Sequence, residues 1–107
     1  MNSRKKFLNM LGLAQRARKL VSGEDLCLKS LQNGTCHLMI VASDASFKTL
    51  DKFKKKCYFY NIPIIDDFST EELSIAIGKE MRKLLAITDG GFAKALQEIK
   101  RGDRDES

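Results

Sequence analysis

Residues 38–46 read LMIVASDAS, and this stretch decides the fold because it joins an apolar run directly to the start of a helix. The run from Leu38 to Val41 contains no polar residue, which predicts a central strand that is covered on both faces. Ser46 precedes an apolar pattern of helical period and predicts a capped helix that ends at Asn61. A buried strand followed at once by a helix is typical of α/β domains.

The same alternation of helices and short apolar strands continues on both sides of this stretch. The patterns predict five helices, over residues 3–18, 22–33, 46–60, 73–77 and 92–100. They predict three further strands, at residues 20–21, 62–65 and 84–88. The expected architecture is therefore a three-layer α/β/α sandwich around a mixed sheet of about four strands.

Serines are also expected to begin three other helices. Ser3 is predicted to cap the first helix, and Ser22 the second. Ser22 is followed by Asp25, and Ser69 by Glu72, at the three-residue spacing of a capping box. The second and fourth helices are therefore predicted to begin with their first N–H groups bonded to side chains.

The third predicted helix carries many aromatic residues. Phe47, Leu50, Phe53 and Cys57 are spaced so that they are predicted to point inward. The aromatic residues 58–60 at its end are predicted to cover the sheet edge. The alternative, a platform on which nucleic-acid bases stack, stays open.

The charge of the chain is unevenly distributed. Residues 1–56 hold 12 Lys/Arg against 4 Asp/Glu, a net charge of +8, whereas residues 57–107 hold 7 against 10, a net charge of −3. A basic half favours a polyanion as partner.

No apolar run approaches the roughly 18 residues of a membrane span, and the basic N-terminus lacks the continuous apolar core of a signal peptide. We expect a cytoplasmic protein with no membrane partner.

Residue types that would carry catalysis or bind a metal are sparse. Cys27, Cys36 and Cys57 are widely spaced and the chain has one His, so no zinc site of ordinary spacing can be assembled. We interpret the cysteines as buried, reduced apolar residues. The chain offers no nucleophile elbow and no convincing carboxylate dyad. A binding protein without catalysis, metal or cofactor is therefore favoured over an enzyme.

The sequence around Gly23 suggests an anion-binding corner. A glycine lets a partner approach the first turn of the second helix, whose free N–H groups can bind an anion. Arg16, Arg18 and Lys19 lie just upstream, and Lys29 lies one and a half turns into the helix. An ordinary capped helix on a solvated basic surface is the alternative.

Several segments resemble one known family. They are residues 11–19 (LGLAQRARK), 21–25 (VSGED) with Lys29, 40–46 (IVASDAS), 62–63 (IP), 73–80 (LSIAIGKE) and 86–93 (AITDGGFA). Together they make the chain similar, over roughly residues 5–97, to the ribosomal L7Ae/L30e superfamily of kink-turn RNA binders, and within it to the small bacterial proteins of the YlxQ type.

The resemblance implies an L30e-like fold and an RNA face that includes the start of the second helix. In the family this helix opens with Gly-x-Asn-Glu-x-x-Lys, which Gly23 and Lys29 match, whereas Asp25 stands at the Asn position and Leu26 at the Glu position. The second family contact, a small loop before a helix, is matched to residues 67–70. Phe68 and Ser69 are accordingly expected to pack against an exposed nucleotide.

These observations predict a non-catalytic, ribosome-associated protein that binds structured RNA, with residues 1–100 as a single monomeric domain and residues 101–107 as a charged, disordered tail. Two alternatives remain: a protein-interaction module with a basic first helix, and the substrate-recognition part of an RNA-modifying enzyme. The predicted RNA-binding residues are Arg16, Arg18, Lys19, Ser22, Gly23, Glu24, Asp25, Lys29, Phe68 and Ser69.

Overall fold

The computed structural model describes the backbone of residues 2–105 and the side chains of residues 2–102. Within this range helices and strands alternate along the chain. The helices are α1 (Ser3–Arg16), α2 (Glu24–Gln32), α3 (Phe47–Tyr60), α4 (Thr70–Ile77) and α5 (Gly90–Asp105). The strands are β1 (Leu20–Ser22), β2 (Leu38–Val41), β3 (Ile64–Ile65) and β4 (Leu84–Ile87).

The four strands form one mixed sheet in the order β1-β4-β2-β3. Strand β4 pairs antiparallel with both β1 and β2, and β2 pairs parallel with β3. All residues of β2 and β4 are buried, which explains why their sequences are continuously apolar instead of alternating. The predicted three-layer sandwich around a mixed four-stranded sheet is confirmed.

Successive side chains of each strand point to opposite faces of the sheet and so divide the core into two parts. Leu38, Ile40 and Leu85 pack with α1, α4 and α5. Met39 and Ala86 pack on the other face with α2 and α3. The cysteines belong to this second core, and burial raises the pKa of the Cys27 and Cys57 thiols to about 12, so both stay protonated and unreactive at neutral pH.

The strand directions bring four connections to one edge of the sheet. Strands β1, β2 and β3 end at the edge where β4 begins, because β4 runs antiparallel to β1 and β2. We call this the loop edge; it comprises Gly23, residues 42–46, residues 66–69 and residues 78–83. The start of α2 therefore lies beside residues from distant parts of the chain, among them Arg82 and Leu84.

Two of the predicted helix caps are confirmed and two are wrong. Ser46 and Ser69 accept from the backbone N–H groups of residues 49 and 72, and Ser69 with Glu72 forms the complete capping box. For α1 the cap is Asn2, whose Oδ1 accepts from the N–H of residue 5 at 2.8 Å. For α2 it is Gly23, because Ser22 belongs to β1 and its hydroxyl accepts a hydrogen bond from Arg82 instead of capping the helix.

The last helix is longer than predicted. It begins at Gly90 and continues through Asp105 instead of ending near Lys100. The remaining part of the predicted tail, residues 106 and 107, lies outside the described residues. The division into a domain of residues 1–100 and a tail stays a prediction.

The aromatic end of α3 does not cover the sheet edge as predicted. Phe53 and Cys57 point to the sheet, and Tyr58 and Phe59 follow on the opposite side of the helix, with 90% and 79% of their surfaces exposed. Phe47, also predicted to point inward, is 83% exposed. The error lies in the helical phase: Tyr58 and Phe59 are turned by about 100° and 200° from Cys57, and Phe47, ten residues before Cys57, is turned by about 80° from it.

Candidate nucleic-acid interface

The start of α2 is a cluster of backbone donors at the loop edge. Gly23 is the N-cap residue, with φ 98° and ψ 155°, a conformation essentially restricted to glycine. Its own N–H donates to the carbonyl of Leu84 at 2.9 Å, which fixes the start of the helix to β4. The N–H groups of residues 24–26 follow, and the geometry of an α-helix leaves them without intrahelical acceptors. They are available to an anionic or carbonyl-bearing ligand.

Two carboxylates flank these donors. Glu24 and Asp25 are exposed in the first turn, where the helix dipole favours negative charge. Next to bound phosphate they are repulsive, but they can accept hydrogen bonds from the amino groups of bases. The start of α2 therefore suits a ligand that presents both acceptors and donors, as a folded nucleic acid does.

Arg82 lies beside the start of α2, although it is 60 residues away from Ser22 in sequence. Its Nη1 donates to the Ser22 hydroxyl at 3.1 Å and lies 3.4 Å from the Ser22 carbonyl oxygen. The same atom is 3.6 Å from the position that a Cβ on Gly23 would take. The backbone N–H of Arg82 donates to the Ser74 hydroxyl at 2.9 Å, which anchors the connection to α4. The pairing of β1 with β4 thus brings a fixed positive charge to the first turn of α2.

The connection that carries Arg82 is exposed and basic. Lys79 and Lys83 are exposed on it, and Met81 has φ 51° and is 74% exposed. At the same edge Asp44 links the loop after β2 to the start of α4, since its Oδ1 accepts from the Thr70 N–H at 2.9 Å and the Thr70 hydroxyl at 2.7 Å. These hydrogen bonds hold the pKa of Asp44 below its usual range. Among the described residues, no group of three or more metal-ligating side chains is found.

The structure does not gather the predicted cations around Gly23. Lys29 is exposed in the last turn of α2, six residues or about 9 Å along the helix from Gly23. Arg16 lies at the end of α1, its Nη1 close to Gly12 where α1 contacts α4. Arg18 and Lys19 lie at the opposite edge of the sheet, where the Lys19 carbonyl accepts from the N–H of Thr88 at 2.9 Å.

The separation of the two edges follows from β4. Gly23 is hydrogen-bonded to Leu84 and Lys19 to Thr88, and the four residue steps from Leu84 to Thr88 span about 13 Å. The predicted cluster of Arg18 and Lys19 around the start of α2 is therefore wrong in its geometry. Their place beside Gly23 is taken by Arg82, which the sequence did not single out.

The expected nucleotide contact of Phe68 is also wrong, because only 1% of this residue is exposed. Its ring stacks on Phe7, with centroids 4.6 Å apart, and the Arg4 guanidinium lies 4.5 Å from the ring centroid. Arg4 also binds Glu72 at 2.6 Å, and this hydrogen bond lowers the pKa of the Glu72 carboxyl. Ser69 is at the loop edge, but its hydroxyl is used in the cap of α4.

Comparisons with known proteins agree with this architecture. The model of the ribosomal protein L7Ae/L30e/S12e/Gadd45 family matches residues 5–97. The chain belongs to this family. Among solved structures, a Bacillus halodurans C protein of unknown function has a TM-score of 0.85 and 40% identity, covering 88% of this chain and 95% of that one. The Giardia lamblia 15.5kD RNA binding protein has a TM-score of 0.77 at 17% identity, covering 98% and 91%, which shows a shared fold.

Two curated bacterial relatives from the same family are similar over most of their length. The chain is 41% identical to the RNA-binding protein YlxQ of Enterococcus faecium over 100 residues, which is 94% of this chain and 96% of that protein. It is 46% identical to the RNA-binding protein YlxQ of Bacillus subtilis (strain 168) over 87 residues, or 81% and 87%. The predicted resemblance is confirmed. No helix among residues 2–105 is long and apolar enough to cross a membrane.

At the start of α2 this chain differs from the family pattern at two positions, Asp25 and Leu26. Leu26, at the position where the family has Glu, is half exposed and offers no hydrogen-bonding group. Asp25 is exposed but accepts hydrogen bonds only, whereas the family Asn also donates. Asp25 and Leu26 therefore offer fewer hydrogen-bonding groups to a base than the Asn and Glu of the family pattern.

Proposed function

We propose that this protein is a non-catalytic RNA-binding protein that contacts structured RNA with the loop edge around the start of α2. The observation that carries the proposal is the position of Arg82, whose guanidinium lies next to Gly23 and the free N–H groups of residues 24–26. Phosphate binding by backbone donors and an arginine supplies affinity, because charge-assisted hydrogen bonds to phosphate are strong. The curated relatives named as RNA-binding proteins support the same class of ligand.

The finer proposal concerns the kind of RNA. A narrow cluster of donors flanked by the carboxylates of Glu24 and Asp25 fits a sharply bent backbone better than a regular duplex, since a bend brings phosphates and base edges to one place. We propose a folded RNA of the ribosome, with a kink-turn as its local motif, bound by a cytoplasmic monomer. Of the predicted residues, Ser22 and Ser69 lie at this loop edge, and Lys29 follows further along α2. Arg16, Arg18 and Lys19 are proposed to contact only an RNA that extends around the end of α1 and β1.

The test measures the affinity of the full chain, by fluorescence anisotropy, for a stem-loop RNA with a kink-turn internal loop, here called the kinked stem-loop. A continuous duplex of the same length is the control RNA. We expect tighter binding of the kinked stem-loop and a steep loss of affinity with salt, because counterions are released from phosphates. Equal or absent binding of the two RNAs at all salt concentrations contradicts the proposal.

Gly23 gives a prediction within this site. The change Gly23→Ala is expected to lower the free energy of unfolding by about 1–3 kcal/mol, because alanine is strained at this φ and ψ. It should also weaken binding of the kinked stem-loop, because the new methyl group occupies the space through which RNA approaches the first turn of α2. The methyl would lie 3.6 Å from the Arg82 Nη1, an ordinary van der Waals contact, so Arg82 keeps its position. Urea unfolding and anisotropy measure the two effects.

The matched control is Gly34→Ala. Gly34 also has a positive φ, of 78°, but a Cβ there meets no atom within 4 Å, and the residue follows the other end of α2. Its replacement should cost stability and leave RNA affinity unchanged. A similar loss of affinity in both variants would mean that general destabilisation, and not the local approach of RNA, explains the Gly23 effect.

A further inference from the structure

Helix α3 presents a row of lysines that ends in an exposed ring. Lys48, Lys52, Lys55 and Phe59 follow one another at intervals of four, three and four residues, and this spacing places them on one face of a helix. Phe53 and Cys57, which are buried, lie on the other face. The row therefore faces solvent along about 16 Å of helix.

The last three residues of α3, at the end of this row, are aromatic. Tyr58 and Phe59 are largely exposed, and Tyr60 is 38% exposed. Phe59 and Tyr60 contact each other edge to face, with centroids 5.0 Å apart. We call these three residues the aromatic cluster. Phe59 and Tyr60 thus form an exposed pair of rings with Tyr58 next to them in the chain, and exposed rings grouped in this way on a small domain point to a site of interaction.

The positive charge of α3 favours a polyanion as its partner. Helix α3 has five lysines and one aspartate. Lys55 pairs with Asp51 at 3.0 Å and Lys54 with Asp66 at 3.4 Å, and all four side chains are substantially exposed, so these pairs are weak and a polyanion can compete for them. Among the described residues, Lys48 and Lys56 have no carboxylate oxygen within 4.0 Å.

We propose that α3 is a second RNA contact, which binds a single-stranded segment whose bases stack on the aromatic cluster and whose phosphates lie along the lysines. Cationic surfaces with exposed rings bind single strands in this way, and every base has a face that can stack. The proposal rests on the RNA-binding function proposed above and extends it to a segment that flanks the folded RNA.

The two RNA contacts are adjacent in the structure. Lys52, in the middle of the row, binds Glu24 at 3.1 Å, and Glu24 is the first residue of α2. A strand that leaves the loop edge near Glu24 thus reaches Lys52 first and, seven residues or about 10 Å further along α3, Phe59. Folded and single-stranded parts of one RNA can therefore be bound together.

The tyrosines allow a direct test. The chain has two tyrosines and no tryptophan, and both tyrosines, Tyr58 and Tyr60, belong to the aromatic cluster. Titrating the full chain with an oligo(U) RNA of about 12 nucleotides, within the range of known single-strand site sizes, should quench the tyrosine emission. The variant Tyr58→Leu/Phe59→Leu should bind this RNA, by anisotropy, about tenfold more weakly, because stacking is lost.

The matched control is Phe47→Leu, which removes an equally exposed ring from the same helix at a distance of about 18 Å from Phe59. Its affinity for oligo(U) should equal that of the wild type. Equal affinities of the double variant and Phe47→Leu, or oligo(U) that leaves the emission unchanged, overturn the proposal. So does quenching by poly-glutamate at the same concentrations as oligo(U), because the partner would then be an acidic protein.

A second RNA separates failure of this proposal from failure of the first. The kinked stem-loop without a single-stranded flank should bind the wild type and the double variant equally. If it binds and oligo(U) does not, only the α3 contact is wrong. If neither RNA binds, the RNA-binding function itself is wrong, and with it the α3 contact.

Discussion

Replacing Phe68 with alanine is expected to lower the free energy of unfolding by about 3–5 kcal/mol, the usual cost of deleting a fully buried aromatic ring. The ring is buried, stacked on Phe7 of α1 and covered by the Arg4 guanidinium, and Lys100 Nζ of α5 lies 5.8 Å from its centroid. Its loss leaves a cavity in the core and removes the support of the loop before α4. Urea denaturation followed by circular dichroism measures the effect as a fall in the midpoint with an unchanged slope.

A milder variant separates stability from RNA contact. Phe68→Leu keeps most of the apolar volume, so it should cost less and stay folded. Its affinity for the kinked stem-loop should equal that of the wild type, because Phe68 is 1% exposed. An alanine variant of nearly normal stability that has lost RNA affinity would show instead that this ring faces the RNA.

The second large effect is expected from Arg82→Glu combined with Lys29→Glu. This double variant should bind the kinked stem-loop at least about 100-fold more weakly, since each charge-assisted hydrogen bond contributes about 1.5–3 kcal/mol. The dependence of log K on log salt should also become shallower by roughly one unit for each phosphate that the variant no longer binds. Anisotropy titrations at several salt concentrations give both quantities, and thermal unfolding confirms that the variant folds.

The matched control reverses charge elsewhere. Lys94 is exposed on α5, near Gly90 and the opposite edge of the sheet. Lys94→Glu combined with Arg18→Glu changes the net charge by the same amount as the first double variant but should weaken binding much less. If the two double variants lose equal affinity, RNA attraction is a property of the net charge and the loop edge has no special part in it.

Much of the fold could be predicted because local signals agree with the tertiary structure. The continuous apolar run of β2 is buried on both faces, and the serines that begin α3 and α4 have the cap geometry that their position in the sequence indicates. The prediction for the cap of α2 is wrong because the Ser22 hydroxyl can accept either from the first turn of α2 or from a residue of another segment. In the folded chain it bonds Arg82, a residue far away in sequence, and a three-residue strand leaves little signal of its own.

The candidate site was harder to predict for the same reason. Gly23 and Lys29 could be found from the family pattern, whereas Arg82 becomes a neighbour of Gly23 only once β1 pairs with β4. Proximity in sequence was misleading for Arg18 and Lys19, because a strand separates them from Gly23. A signal for Arg82 does exist in the basic run of Lys79, Arg82 and Lys83 between α4 and β4.

The most direct measurement of the central claim is ultraviolet crosslinking of the protein to RNA in cells, followed by mass spectrometry of the crosslinked peptides and sequencing of the attached RNA. Donors and an arginine converging at one end of α2 predict crosslinks within residues 22–29 and 79–83, with further ones at Tyr58 or Phe59 where a single strand is bound. Crosslinks confined to α5, or recovery of no RNA above that of the Arg82→Glu/Lys29→Glu variant, would contradict it.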